Sequence, residues 1–461
     1  MLYTILFFFL SLSFFALALY AIYHLASSAK LGTLVLALVL IAAICTSVFI
    51  ESLFFIEWYA LNILQTITAF FLMSYMLLSL LFYKRKPVDS NPPGGTLPKV
   101  SVLVAVHNEE EVIEETIKNL LQLEYDAAAM EIVVINDNST DNTKSILEQF
   151  KDKIRIVDRT PGCLRGKPAA INEVIPLLSS EIICVFDADS LPEKNFLKKA
   201  VGHFSDNKVG LVQCRNVQYN ENTSIISRLV GIDIDSLHLS LYYPKSLYGM
   251  PIFEGRAGLF RRSVFIKLDG YDTNLPTEDW DFGYKVQISG HKLVYDPHVY
   301  NHEQATDTMS EYVKQRYRWL STTILTFLKN FKPVLRTNSL GVFQKFDSFF
   351  ILFFNIWAIV FNLIGFIGFC GKLMGYQFNG SIFLMVFLSM VVFYNSPSIL
   401  FQKKIKHLLF FPFMYLYYWS FTVIISVIFI DKFVLKRDMK YKKATHNQRA
   451  LNRFRASFMN A

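Results

Sequence analysis

Charge is spread very unevenly along this chain of 461 residues. Residues 1–29, 31–50, 58–83, 348–371, 373–402 and 408–430 contain no Asp, Glu, Lys or Arg. An apolar run of about 20 residues is long enough to cross a hydrocarbon core of about 30 Å. Uncharged runs on both sides of a polar middle therefore constrain the chain to membrane spans that bracket a water-exposed domain. Composition agrees, with 52% hydrophobic and 18% charged residues, against about 25% charged in ordinary soluble domains. That balance excludes a disordered or fibrous protein. A cleaved signal peptide fits the first run poorly, because no basic segment precedes it and further runs follow. The five cysteines (45, 163, 184, 214 and 370) are scattered, which is neither a disulfide framework nor a zinc pattern.

Lys and Arg mark the cytoplasmic side of a membrane chain. Lys84, Arg85 and Lys86 follow the third run, so the polar middle is expected to be cytoplasmic. From Asp431 onward the tail holds nine bases and two acids, a net of +7 that accounts for most of the chain's +8. Beside a membrane, attraction to anionic lipid explains such a tail better than nucleic acid does. Lys403, Lys404 and Lys406 also favour the inside. The two clusters cannot both lie there if 408–430 crosses once, and Pro412 marks that run as re-entrant or interfacial. The expected organisation is an N-terminal transmembrane region (1–83), a Pro/Gly-rich linker (84–98), a catalytic domain (99–335) ending in interfacial helices, a C-terminal transmembrane region (340–431) and a basic tail (432–461).

Within the middle the pattern changes. Short β-branched runs at 100–106, 131–135, 154–157 and 181–186 alternate with helical stretches at 109–123, 141–150 and 167–178. Strands alternating with helices predict a parallel α/β sheet covered on both faces. Ligands bind beyond the carboxyl ends of such strands, and those positions are polar: His107, Asn108 and Glu109; Asn136, Asp137 and Asn138; Asp187 and Asp189. Asn108 and Asp141 could serve only as helix caps. Three acidic strand ends together suit a hard divalent ion such as Mg²⁺, held by one or two carboxylates and phosphate oxygens.

Ordered motifs then carry a resemblance over roughly 100–320. They are Val104-Ala105-Val106-His107-Asn108-Glu109, Asn136-Asp137, Gly166-Lys167-Pro168, Asp187-Ala188-Asp189, Thr277-Glu278-Asp279 and Gln315-x-x-Arg318-Trp319. This set resembles the GT-A-fold family 2 glycosyltransferases, and more narrowly the membrane-embedded processive cellulose, chitin, hyaluronan and poly-N-acetylglucosamine synthases. The chain departs from that pattern at Asn136, where the family usually has an acid. The resemblance implies an α/β GT-A-type nucleotide-sugar domain inserted between N- and C-terminal transmembrane helix bundles.

It also implies roles. Asn108, Glu109, Asp137, Lys167, Asp187, Gln315, Arg318 and Trp319 would bind the nucleotide sugar, and Asp189 the Mg²⁺ or Mn²⁺. Asp279 would be the general base, with Thr277 and Glu278 beside it in the catalytic motif. Trp319, Gly255 and Gly258 would meet the acceptor, although both glycines could equally be turns. Glu303 and His302 read as surface or hydrogen-bonded residues. The implied activity is inverting polymerisation of a cytoplasmic UDP-sugar, UDP-N-acetylglucosamine or UDP-glucose foremost, into a β-glycan that leaves through the protein's own spans. Expected partners are the nucleotide sugar, the growing glycan, membrane lipids and accessory export subunits, with no nucleic acid. The expected location is the cell membrane, multi-pass. Two alternatives stand: a non-processive transferase that loads one sugar onto a lipid or oligosaccharide, and a transporter or scaffold with an inactive transferase domain.

Overall fold

The computed structural model describes residues 74–79, 81–83, 97–348, 374–375, 381–402 and 404–429. The expected spans over 1–50 and 349–371, most of 58–83, the linker 84–96 and the basic tail lie outside the described residues. Those that are described fall into two compact units. The smaller holds helical residues 74–79 and 81–82 and the helix Ser381–Gln402, with Tyr83 stacked on Phe401 at a ring-centroid distance of 3.9 Å.

The larger unit is built on one eight-stranded sheet of order β3-β2-β1-β4-β7-β6-β8-β5. Its strands are β1 Val100–Val106, β2 Met130–Asn136, β3 Arg155–Asp158, β4 Ile182–Phe186, β5 Leu191–Pro192, β6 Val209–Gln218, β7 Gly258–Arg261 and β8 Lys292–Glu303. The first four strands in that order are parallel, as the sequence pattern predicts. The remaining half is mixed: β7 runs antiparallel to both β4 and β6, β6 parallel to β8, and β5 antiparallel to β8.

Alternation along β1 shows why its run is uninterrupted. Val102 and Val104 pack on one face against Ile113 and Ile117 of α1 (Ile113–Leu120). Leu103 packs on the other, in the layer of Ile171 and Val174 from α3 (Lys167–Val174); α2 spans Thr143–Glu148. Side chains of a strand point alternately to opposite faces, so a strand buried on both needs apolar residues throughout. Phe253, Phe260, Phe265 and Phe282 fill the second layer beneath the antiparallel half.

Three further helices frame the site: α4 Ile225–Leu237, α5 Glu278–Ile288 and α6 Met309–Arg336. Thr308 caps α6, its side chain accepting the Glu311 N–H at 3.3 Å. After a 3₁₀ turn at Ile405–Phe410, α7 runs from Phe411 to Phe429. Pro412 lies in the first turn of α7, where a missing N–H breaks no helical bond. Among the described residues one helical stretch, Ile405–Ile425, is long and apolar enough to cross a membrane, at 21 residues and mean hydropathy 1.7. Tyr417 of α7 donates to Asp233 of α4 at 3.0 Å and accepts from Arg316 of α6 at 2.7 Å, so this apolar helix is tied to α4 and α6 by a buried polar triad.

Candidate active site

Parallel register aligns the ends of β1, β2 and β4: Val106 lies opposite Asn136, and Val104 opposite Phe186. Asp187 follows β4 directly. Lys167, the first residue of α3, forms an ion pair with Asp187 and donates to the Gly255 carbonyl at 2.8 Å. Gly255 has φ +73°, and a Cβ built on it would lie 2.8 Å from both Cβ and Oδ2 of Asp279. Asp187, Lys167, Gly255 and Asp279, which lie up to 112 positions apart in the sequence, thus meet at one point. Asp279 sits in the first turn of α5, where its Oδ1 accepts the Trp280 N–H at 2.8 Å.

The charges of this cluster are shifted from their ordinary values. Burial pushes the Asp279 carboxyl up, while the Trp280 N–H, Lys167 and Arg256 pull against it without restoring it. Glu278 is pushed up by burial and by the neighbouring Asp279. Burial would raise Asp187 too, yet Lys167, Arg256 and Arg318 together hold it below the usual carboxylate range. Lys167 is held above its usual value, because Asp187, Glu278 and Asp279 outweigh burial. The two acids of the α5 turn are therefore poised to take protons, and Asp187 to stay charged.

A second group adjoins. Arg256 is ion-paired with Glu303 at the end of β8 and lies 4.0 Å from Glu254. Its guanidinium carbon is 5.9 Å from the Trp319 ring centre. Burial raises Glu303 against the pull of Arg256, and Asp189 and Glu254 add to the rise. Glu303 is thus the hydrogen-bonded residue the sequence suggests, but buried rather than superficial. Gln315 Oε1 is buried and has no hydrogen-bond partner among the described residues, which leaves an acceptor open there.

Other expected site residues serve the scaffold in this conformation. Both carboxylate oxygens of Asp137 are engaged, one by Arg159 at 2.5 Å and one by the Gly166 N–H at 2.8 Å. Asn108 has φ +56°, and its side-chain oxygen accepts the Thr140 N–H at 2.7 Å, so it joins two loops and caps no helix. The Glu109 backbone N–H donates to the Thr143 hydroxyl at 2.8 Å. Thr277 bonds to Thr326, fastening the start of α5 to α6. Gly258 lies within β7, where a Cβ would come 2.2 Å from the Phe253 ring; that position is needed for packing. Asn136, where an acid was expected, donates to Asp158 at 2.7 Å.

Sequence reading did not single out Arg159, Arg256 or Arg316. Arg316 stands beside Arg318 but is buried, 2.9 Å from Asp233, with its charge 4.7 Å from the Trp319 ring centre. Only the presence of two arginines within one helical turn hinted at a division of labour.

Residues 98–322 match the family described as "Glycosyltransferase like family 2". This is a family 2 glycosyltransferase domain. Over 270 residues the chain is 30% identical to the "Probable glycosyltransferase YdaM" of Bacillus subtilis, covering 56% of this chain and 64% of that protein. It is 31% identical over 261 residues to the "Beta-monoglucosyldiacylglycerol synthase" of Nostoc sp. (55% and 54%). It is 29% identical over 248 residues to the "Poly-beta-1,6-N-acetyl-D-glucosamine synthase" of Staphylococcus epidermidis (53% and 59%). The chain therefore spans less than two thirds of the length of these relatives. Among solved structures, the mannosyltransferase PcManGT of Pyrobaculum calidifontis, in complex with GDP-Man and Mn²⁺, shares the fold. Its TM-score is 0.51 at 20% identity, over 81% of this chain and 100% of that one. The glycosyltransferase domain accordingly has the GT-A-like α/β fold expected from its motifs.

The donor set at its acidic edge is suited to a hard cation. Among the described residues no three His, Cys, Asp or Glu side chains form a metal cage. Mg²⁺ and its analogues are ordinarily held by one or two carboxylates with phosphate oxygens completing the shell, and Asp189 with Asp187 supplies that kind of oxygen.

Proposed function

We propose that this protein is an inverting membrane glycosyltransferase that takes a cytoplasmic nucleotide sugar, UDP-N-acetylglucosamine or UDP-glucose foremost, and extends a β-linked polysaccharide. The observation that carries the reading is the meeting of Asp279, raised in pKa, with the Lys167–Asp187 pair across Gly255. Asp279 accepts the proton of an acceptor hydroxyl as that oxygen bonds to the anomeric carbon. The bond from that carbon to the diphosphate breaks on the opposite side, and its electron pair leaves with the nucleoside diphosphate. Lys167 and Arg318 supply positive charge where that negative charge grows. One displacement inverts the anomeric centre, so an α-linked donor gives a β-linked product. Asp189, with Asp187 nearby, would hold Mg²⁺ or Mn²⁺, which when bound neutralises charge on the diphosphate. Trp319 offers a ring for the acceptor sugar, and Gln315 an unpartnered amide oxygen for a hydroxyl.

A second reading, transfer of a single sugar to a lipid, is favoured by the 31% identity to a protein named for glucosyldiacylglycerol synthesis. Product size separates the two. The site itself is tested by Asp279→Asn. Loss of a general base is expected to lower transfer by roughly 10²- to 10⁴-fold while nucleotide binding stays within about twofold of wild type. Substantial residual turnover would refute the assignment of the base.

A further inference from the structure

Arg256 lies between two parts of the site that the motifs treat separately. Its backbone follows Gly255, whose carbonyl receives Lys167 and where an added Cβ would lie 2.8 Å from Asp279. Its side chain lies near Trp319 and is ion-paired with Glu303. A buried ion pair normally locks both partners, because releasing one leaves the other uncompensated. Here the acids have other partners. Glu303 also accepts from Gln218 at 2.7 Å. Glu254 accepts from Asn216 at 2.8 Å and lies 3.4 Å from the His238 ring nitrogen. Departure of Arg256 leaves each carboxylate hydrogen-bonded.

We propose that Arg256 is a catalytic cation held in reserve: it leaves Glu303 when donor binds and grips the diphosphate, stabilising it as the leaving group alongside Lys167. A guanidinium suits this task, since its planar fork matches two phosphate oxygens at once. The bond changes are those of the transfer itself. As the bond from the anomeric carbon to the diphosphate oxygen breaks, the electron pair passes to that oxygen, and Arg256 donates N–H bonds to it without giving up a proton.

The inference rests on the nucleotide-sugar reading above, and the test separates the two. Full-length protein in detergent or nanodiscs is titrated with UDP and with UMP in the presence of Mn²⁺, for wild type, Arg256→Gln, Arg256→Lys and Glu303→Gln. Wild type binds UDP more tightly than UMP. Arg256→Gln is expected to weaken UDP about 10-fold while UMP changes less than about twofold. Arg256→Lys, which keeps the charge but not the fork, should weaken UDP about threefold, and it carries the test should the Gln variant not fold. Glu303→Gln frees the arginine and is expected to keep or strengthen UDP binding. Equal loss of UDP and UMP in the arginine variants, or a Glu303→Gln loss as large as that of Arg256→Gln, would make the pair a structural brace and overturn the proposal. No change in the UDP-to-UMP ratio would overturn it as well. Failure of wild type to bind UDP, with GDP run as a second probe and also failing, would sink the nucleotide-sugar reading and this inference with it.

Discussion

Substituting Gly255 by alanine tests whether the turn beneath Asp279 sets the position of the base. The added methyl would sit 2.8 Å from Asp279 Cβ and Oδ2 and 3.2 Å from its Cγ, where ordinary contact begins at 3.4 Å. Either the aspartate or the turn must yield by about 0.6 Å to regain normal carbon contact. The backbone adds strain, because an L-residue at φ +73° costs roughly 1–2 kcal/mol. The same turn presents the carbonyl that holds Lys167, so any backbone movement is felt at Asp187 too. A misplacement of about 1 Å costs on the order of 10²-fold in rate, and the smaller shift here is expected to cost on the order of 10-fold in kcat. The assay is the initial rate of labelled-sugar transfer at saturating donor, with thermal unfolding and nucleotide binding measured on the same preparation. A fall in kcat with nucleotide binding retained is expected. A kcat within twofold of wild type would refute the claim that Gly255 positions the base. Gly258→Ala is the comparison: its methyl meets the Phe253 ring at 2.2 Å, and its cost should appear as a lowered unfolding midpoint.

Two further outcomes follow from the charges. Burial raises Asp279 and Glu278, and a base works only when deprotonated, so kcat/KM should fall as pH drops through a value above the ordinary carboxyl pKa of about 4; a profile from pH 4 to 9 that stays flat down to pH 4 contradicts this. The neighbouring arginines of α6 should separate cleanly. Arg316→Ala leaves Asp233 with the Tyr417 hydroxyl but no cation and is expected to cost about 3 kcal/mol of stability, the low end for a broken buried pair, read as a drop in unfolding midpoint. Arg318→Ala should lower transfer with little effect on that midpoint, and an equal thermal loss in both would contradict the division of roles.

The parallel half of the fold was legible because β1, β2 and β4 are buried on both faces and so read as unbroken apolar runs. The mixed half was not, for a physical reason. In β6, Gln213, Arg215, Asn216 and Gln218 are all buried, so the strand looks polar in sequence, and its partners Glu254, Glu303 and Asp235 lie far along the chain. Helix α4 carries Asp235 inward to Arg215 of β6, and Asp233 to Arg316 of α6. Asp187, Lys167 and Asp279 announced themselves as motif residues, yet their meeting across Gly255 depends on a glycine that the sequence presented equally well as a simple turn. Asp137 shows the converse: its motif was legible, while Arg159, which engages it, sits in a loop with no pattern of its own. Arg256 stood in a short segment with Glu254, Arg261 and Arg262, and only the fold shows that it is the one ion-paired with Glu303.

The central claim, inverting transfer from a nucleotide sugar, is tested most directly by following labelled sugar into product. Full-length protein in nanodiscs is given UDP-N-acetylglucosamine, UDP-glucose or GDP-mannose with Mg²⁺ or Mn²⁺, beside Asp279→Asn, and the product is sized and its anomeric configuration determined. The account predicts a β-linked, high-molecular-weight product from one donor, dependent on the divalent ion and lost in Asp279→Asn. An α-linked product, or no transfer from any nucleotide sugar by protein that binds one, would contradict it.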